Sequence, residues 1–188
     1  MNVIAISGSR NPTGQTSRAL NALTDGLTAE GAIVRTVRLP ELRVERCRQC
    51  DANGWGRCRG EGRCIIEDDL HTLVEQIRQS DAVVLATPVY FGDLSESLRA
   101  FLDRLRRQNV NETGRAGIAG KPAIGVCVAG GGGGGAPRCA ESLTWVLQSS
   151  HFEVADMIPL RRQNLPHKLA VLNSIGREWA KALAGSQQ

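Results

Sequence analysis

The residues of this chain best suited to hold an anion lie between Ser7 and Ser17. The segment Ser7-Gly8-Ser9-Arg10-Asn11-Pro12-Thr13-Gly14-Gln15-Thr16-Ser17 combines hydroxyls, glycines and one cation, and it contains no carboxylate. Before it runs the short apolar stretch Val3 to Ile6; after it, Leu20, Leu23 and Leu27 recur at helical spacing. A buried strand that empties through a polar loop into a helix N-terminus presents unpaired backbone N–H groups and a favourable dipole to a phosphate. Gln15 rather than lysine follows Gly14, which excludes a nucleoside-triphosphate loop. Gly8 and Gly14 also lack the spacing of a dinucleotide fingerprint. A mononucleotide or flavin phosphate is the better fit, against the plainer reading of a βα turn capped by Thr16 or Ser17.

Two further stretches suit a flat ligand. Thr87-Pro88-Val89-Tyr90-Phe91-Gly92-Asp93 sets two adjacent aromatics in a chain of only 4% aromatic content. Pro88 stiffens the entry and Gly92 allows a turn. The plainer reading is that Tyr90 and Phe91 cover an edge of the core. The second stretch is a run of glycines from Gly130 to Gly135. Such a run is costly to order. A flexible linker makes little sense between a strand and its own helix. Backbone passing close to a ring, with no Cβ to block the approach, makes more.

Four cysteines, Cys47, Cys50, Cys58 and Cys64, share one stretch, with two, seven and five residues between them in turn. Four thiolates can hold an iron–sulfur cluster or zinc. The open spacing, with Trp55 inside the widest gap, favours free thiols over either, since compact spacing is the stronger ligand signal. Cys127 and Cys139 fall in a strand and a helix and are not counted as ligands. His71, His151 and His167 lie outside the three loops, and no acid–base residue is assigned. Asp68 and Asp69 read as a helix cap and a dipole partner rather than a catalytic pair.

The elements that must position these residues alternate regularly. Strands are expected at Val3–Ile6, Ala32–Leu39, Ala82–Ala86, Pro122–Val128 and within Val154–Leu160. Helices are marked by Leu20–Leu27, Leu70–Ile77, Leu94–Leu105, Leu143–Leu147 and Leu172–Leu183. Such alternation predicts an α/β, doubly wound five-stranded parallel sheet in the order 2-1-3-4-5. Ligands in such sheets sit beyond the carboxyl ends of the strands, so the three loops should open on one edge.

At 188 residues and 41% hydrophobic, the chain suits one domain, 1–188, with the cysteine stretch as a loop insertion at about 40–67. It has no apolar run of membrane length and no evident leader, so a cytoplasmic location is expected. The net charge of +4 comes from scattered bases, and with few aromatics to stack on, nucleic acid is not an expected partner.

Together these residues resemble the NADPH-dependent FMN reductase family of the flavodoxin-like superfamily. The stretches that carry the resemblance are Ser7-Gly8-Ser9-Arg10 with Gly14-Gln15-Thr16, Cys47-Arg48-Gln49-Cys50, Gly62 to Asp69, and Thr87 to Gly92 followed by Phe101-Leu102-Asp103-Arg104. The subgroup most similar is the iron–sulfur flavoproteins and their relatives without a cluster, whose cysteines are more compactly spaced. The resemblance implies FMN at the three loops. Ser7, Ser9, Arg10, Gly14, Thr16 and Ser17 would take the phosphate. Pro88, Val89, Tyr90, Phe91 and Gly92 would border the ring on one side, and Gly130, Gly131, Gly132 and Gly133 on the other. It also implies an FMN-dependent oxidoreductase in which NAD(P)H drives reduction of flavin or a quinone-like acceptor, with an electron carrier that uses a [4Fe-4S] cluster and ferredoxin as the alternative, and a homodimer or tetramer meeting near the Leu94–Leu105 helix with Arg99 and Arg104. A flavin-binding redox sensor is the non-enzymatic alternative.

Overall fold

The computed structural model describes residues 1–185, so residues 186–188 of the expected domain lie outside them. Five strands form one parallel sheet: β1 (Asn2–Ser7), β2 (Ile33–Arg38), β3 (Ala82–Val89), β4 (Pro122–Ala129) and β5 (Glu153–Arg161). Their order is 2-1-3-4-5, as the alternation predicts. Alternate strand residues feed two cores, because side chains on a strand point to opposite faces in turn. Ile4, Ile6, Val83 and Leu85 face one side, and Val3, Ala5, Ala82 and Val84 the other.

Seven helices connect and cover the strands: α1 (Gln15–Ala29), α2 (Arg57–Glu61), α3 (Leu70–Gln79), α4 (Glu96–Asn109), α5 (Glu112–Arg115), α6 (Ala136–Ser149) and α7 (Leu165–Gly185). On the first face, Leu73 and Ile77 of α3, Leu98, Phe101 and Leu105 of α4, and Leu143 of α6 are buried. On the second, Leu20, Leu23 and Leu27 of α1 pack with Leu172 and Ala180 of α7. Each buried Leu, Ile or Phe among these contributes about 1.5–3 kcal/mol relative to exposure. Helices α1 and α7 approach closely through two glycines. A Cβ on Gly26 would overlap the Asn173 carbonyl, and one on Gly176 the Leu23 carbonyl. Among the described residues no helix is long and apolar enough to cross a membrane.

Three features differ from the sequence expectation. Strand β3 continues through Thr87, Pro88 and Val89, which pair with Cys127, Val128 and Ala129 of β4. Proline is tolerated there because β1 stops at Ser7, opposite Ala86, so no neighbour on that side needs the missing N–H. Two short helices, α2 and α5, lie in stretches too short and polar to show periodicity. Finally, the N-cap of α3 is Asp69, which makes no side-chain cap bond, while Asp68 accepts from the Leu70 N–H at 3.2 Å and is chiefly a buried ion-pair partner.

Candidate functional site

The loop after β1 is built by its own hydroxyls. Ser9 N–H donates to Ser7 Oγ at 3.2 Å, and Ser17 Oγ donates to the Asn11 carbonyl at 2.7 Å. Ser7, Ser9, Thr16 and Ser17 are all buried, while Arg10 is exposed. The N-cap of α1 is Gly14, with no side-chain cap bond, so neither Thr16 nor Ser17 plays the capping part. The first-turn N–H groups of α1 thus remain available, which is the condition for an anion.

The chain after β3 meets this loop at the carboxyl edge of the sheet. Gly8 N–H donates to the Ala86 carbonyl at 2.8 Å, and Ser97 Oγ to the Gly8 carbonyl at 3.3 Å. Beyond Val89, Tyr90 and Asp93 exchange backbone hydrogen bonds at 2.9 Å around a tight turn. Phe91 and Gly92 occupy its centre with φ of 51° and 77°. A phenylalanine in the left-handed region is strained, and strain of this kind clusters at ligand sites. Phe91 is also fully exposed, at 107% of its reference area, so burial in this chain does not offset the strain. Arg10, Val89, Tyr90, Phe91 and Glu96 line an open cleft of about 460 Å³. Glu96 is a member that sequence reasoning missed. It is the first residue of α4, next to the Ser95 cap, and only the fold turns it toward Arg10.

The glycine run divides. Gly135 lies against the aromatic turn: a Cβ there would stand 2.8 Å from Gly92 Cα. Gly130, Gly131 and Gly132 are exposed with open space around them, and Gly133 is buried at φ 79° beside Arg161. None of these four is among the residues lining the Arg10 cleft. Helix α6 begins at this loop without a side-chain cap, as α1 does.

The four cysteines converge. Cys47, Cys50, Cys58 and Cys64 all line one narrow cavity, together with Trp55, Arg48, Arg57, Arg104 and Arg107. Burial pushes the Cys50 thiol up, and the nearness of Cys64, Cys47 and Cys58 pushes it the same way. The cavity holds about 20 Å³, close to the room of one water. Among the described residues, no group of three or more His, Cys, Asp or Glu side chains is arranged to hold a single metal ion. Tetrahedral zinc would need all four sulfurs about 2.3 Å from one point.

Trp55, inside the widest gap between the cysteines, has the Arg59 and Arg107 guanidinium groups over its ring, 5.4 and 4.8 Å from the ring centre. Arg107 also donates to the Gly54 carbonyl at 2.7 Å. Arg104 is fully buried and pairs with Asp68. Burial alone would raise the Asp68 carboxyl, but the Arg104 guanidinium and the N–H groups of Glu45 and Leu70 outweigh it and hold the carboxyl below the usual range. Arg104 is therefore not free to form an intersubunit contact. A signal for its burial stands in the sequence: it falls among Leu98, Phe101, Leu102 and Leu105 on the inward side of α4.

A model of the NADPH-dependent FMN reductase family matches residues 1–165. An iron–sulfur flavoprotein of Methanocaldococcus jannaschii is 30% identical over 131 residues, which are 70% of this chain and 65% of that protein. The match thus spans less than two thirds of that relative. An iron–sulfur flavoprotein of Methanosarcina thermophila is 29% identical over 146 residues, covering 76% of this chain and 71% of that protein. A flavodoxin, WrbA-like protein from Agrobacterium tumefaciens superposes with a TM-score of 0.64 at 16% identity, over 98% of both chains. That likeness shows a flavodoxin-like fold, and the family match, which takes in all three loops and the cysteine segment, settles the rest: this chain belongs to the NADPH-dependent FMN reductase family.

Proposed function

We propose that this protein is an FMN-dependent oxidoreductase in which Cys47, Cys50, Cys58 and Cys64 would hold a [4Fe-4S] centre, which would supply one-electron chemistry beside the flavin. The observation that carries the reading is the convergence of all four cysteines on one cavity, in a chain whose relatives include iron–sulfur flavoproteins. The donor set fits a cluster. Four cysteine thiolates are the ligand set that such a cluster would take.

FMN fits the first site on the chemistry of its lining: an uncapped helix start, buried hydroxyls and an unpaired cation for the phosphate. In this reading Ser7, Ser9, Thr16 and Ser17, with the N–H groups after Gly14, bind the phosphate, and Arg10 neutralises it. Pro88, Val89, Tyr90, Phe91 and Gly92 orient the ring, and Gly130 to Gly133 approach its other side. Bound FMN supplies the one- and two-electron chemistry, so no side chain need act as acid or base. Helix α4 joins the two sites. Ser95 at its start donates its N–H to Thr87 Oγ1 of β3 at 3.0 Å, and Arg104 lies nine residues on, about 14 Å along the axis.

The reading also expects a homodimer or tetramer. The outward faces of α4 and α6, where Trp145 is 73% exposed beside Arg99, Asp103 and Arg106, are the surface for it. A second reading is an NAD(P)H-dependent flavin or quinone reductase without a cluster. The tightness of the cysteine cavity favours it.

Anaerobic purification with iron, acid-labile sulfide and flavin assays separates these readings. Addition of NADH, NADPH or reduced ferredoxin, followed by flavin bleaching, then identifies the donor. Protein that carries iron, sulfide and FMN and bleaches with reduced ferredoxin fits the first. Protein that carries FMN alone and bleaches with NAD(P)H fits the second. Protein without affinity for FMN refutes both.

A further inference from the structure

Arg104 ties both ends of the cysteine segment to α4. Its Nη1 and Nη2 donate to the two Asp68 carboxylate oxygens at 2.5 and 3.0 Å. Nη1 also donates to the Glu45 carbonyl at 3.0 Å, just before Cys47. Nη2 also donates to the Ile66 carbonyl and to Cys64 Sγ, each at 3.3 Å. Four residues on, Gln108 Oε1 accepts from the Cys64 N–H at 3.1 Å, and Gln108 Nε2 is buried without a partner.

Stability alone does not account for a cation at this place. The side chains of Arg104 and Asp68 are 1% and 0% exposed. An apolar pair of similar volume often holds a fold as well as a buried ion pair, or better. An apolar pair cannot donate a hydrogen bond to sulfur. An N–H donor to a ligand sulfur favours the more negative, reduced state of a cluster, and such a partner also orients the ligand.

We propose that Arg104 is a positioning residue that orients Cys64 toward the cavity and raises the reduction potential of the four-cysteine centre. This rests on the iron–sulfur reading above. The test compares wild type, Arg104→Lys and the double variant Arg104→Met with Asp68→Leu, each reconstituted anaerobically with iron and sulfide. FMN retention reports the fold, metal analysis reports loading, and an EPR-monitored redox titration gives the midpoint potential.

The double variant is expected to keep FMN, load iron, and shift the one-electron equilibrium at least tenfold toward the oxidised form, about 59 mV. Arg104→Lys should fall between it and wild type. Where the double variant fails to fold or load, Arg104→Lys is judged by the same criterion of a lowered potential. Loaded variants with an unchanged potential overturn the proposal. Loss of loading in both variants with FMN retained also overturns it and makes Arg104 a loop clamp. Wild-type protein that takes up neither iron nor sulfide overturns the cluster reading itself, and this proposal with it, a result distinct from the others.

Discussion

Arg10 is exposed at the mouth of the cleft, and among the described residues no hydrogen bond or ion pair occupies its guanidinium. Such a cation is free to meet a phosphate. Arg10→Ala is expected to weaken FMN binding by about 1–3 kcal/mol, the range for a lost charge-assisted bond. Fluorescence titration of FMN measures this, and unchanged affinity removes Arg10 from the phosphate site. Asp68 makes a pH prediction. Its carboxyl is held below its unfolded value, so it adds stability above that value, near pH 3.9, which is lost as pH falls through the lower folded value. Asp68→Asn leaves Arg104 buried without its partner and is expected to cost about 3–5 kcal/mol at pH 7. That difference should shrink below about pH 4, where the unfolded wild-type chain takes up a proton that the folded Asp68 carboxylate does not. Urea unfolding from pH 7 to pH 3 reads it, and a difference independent of pH refutes the assignment.

At the scale of elements, two glycine sites make opposite predictions. Gly176 of α7 lies against the Leu23 carbonyl of α1, so Gly176→Ala forces the helices apart. The expected cost is about 1–3 kcal/mol, measured by denaturant unfolding without cofactor. No loss would mean that α1 and α7 have slack between them. Gly132, by contrast, has nothing within 4 Å of an added Cβ. Gly132→Val should leave the stability of the apoprotein within about 0.5 kcal/mol. If the loop covers the ring, FMN affinity falls all the same. A variant with wild-type affinity would make Gly130 to Gly133 a spacer rather than a wall of the site.

For the whole molecule, a ligand that binds only the folded state raises stability by mass action. FMN at 100 times its Kd should add about 2.7 kcal/mol. For a chain of this size that corresponds to roughly 5–11 °C in Tm. Thermal melts with and without FMN check this, and NADPH without flavin should give a smaller shift. An FMN-independent Tm would contradict the placement of the flavin at the sheet edge.

Sheet order and the edge on which the loops after β1, β3 and β4 open were legible in the sequence. Both follow from local periodicity: short apolar runs alternate with helical faces, and right-handed crossovers leave few topologies open. The polar loop after β1 was legible for the same reason, since its residues are consecutive. The inner end of the aromatic loop was not, because Pro88 masks the continuation of β3, and whether β1 reaches far enough to need its N–H depends on the register of the sheet. The cysteine site was legible as a set of residues but not as a place. A spacing of two, seven and five leaves open whether the cysteines line one cavity, and they do so where α4 supplies Arg104, Arg107 and Gln108 to fasten the segment. Asp68 and Arg104 are 36 residues apart. No local pattern encodes that pairing; it exists only once α4 packs on the sheet and closes the cysteine segment over a buried charge.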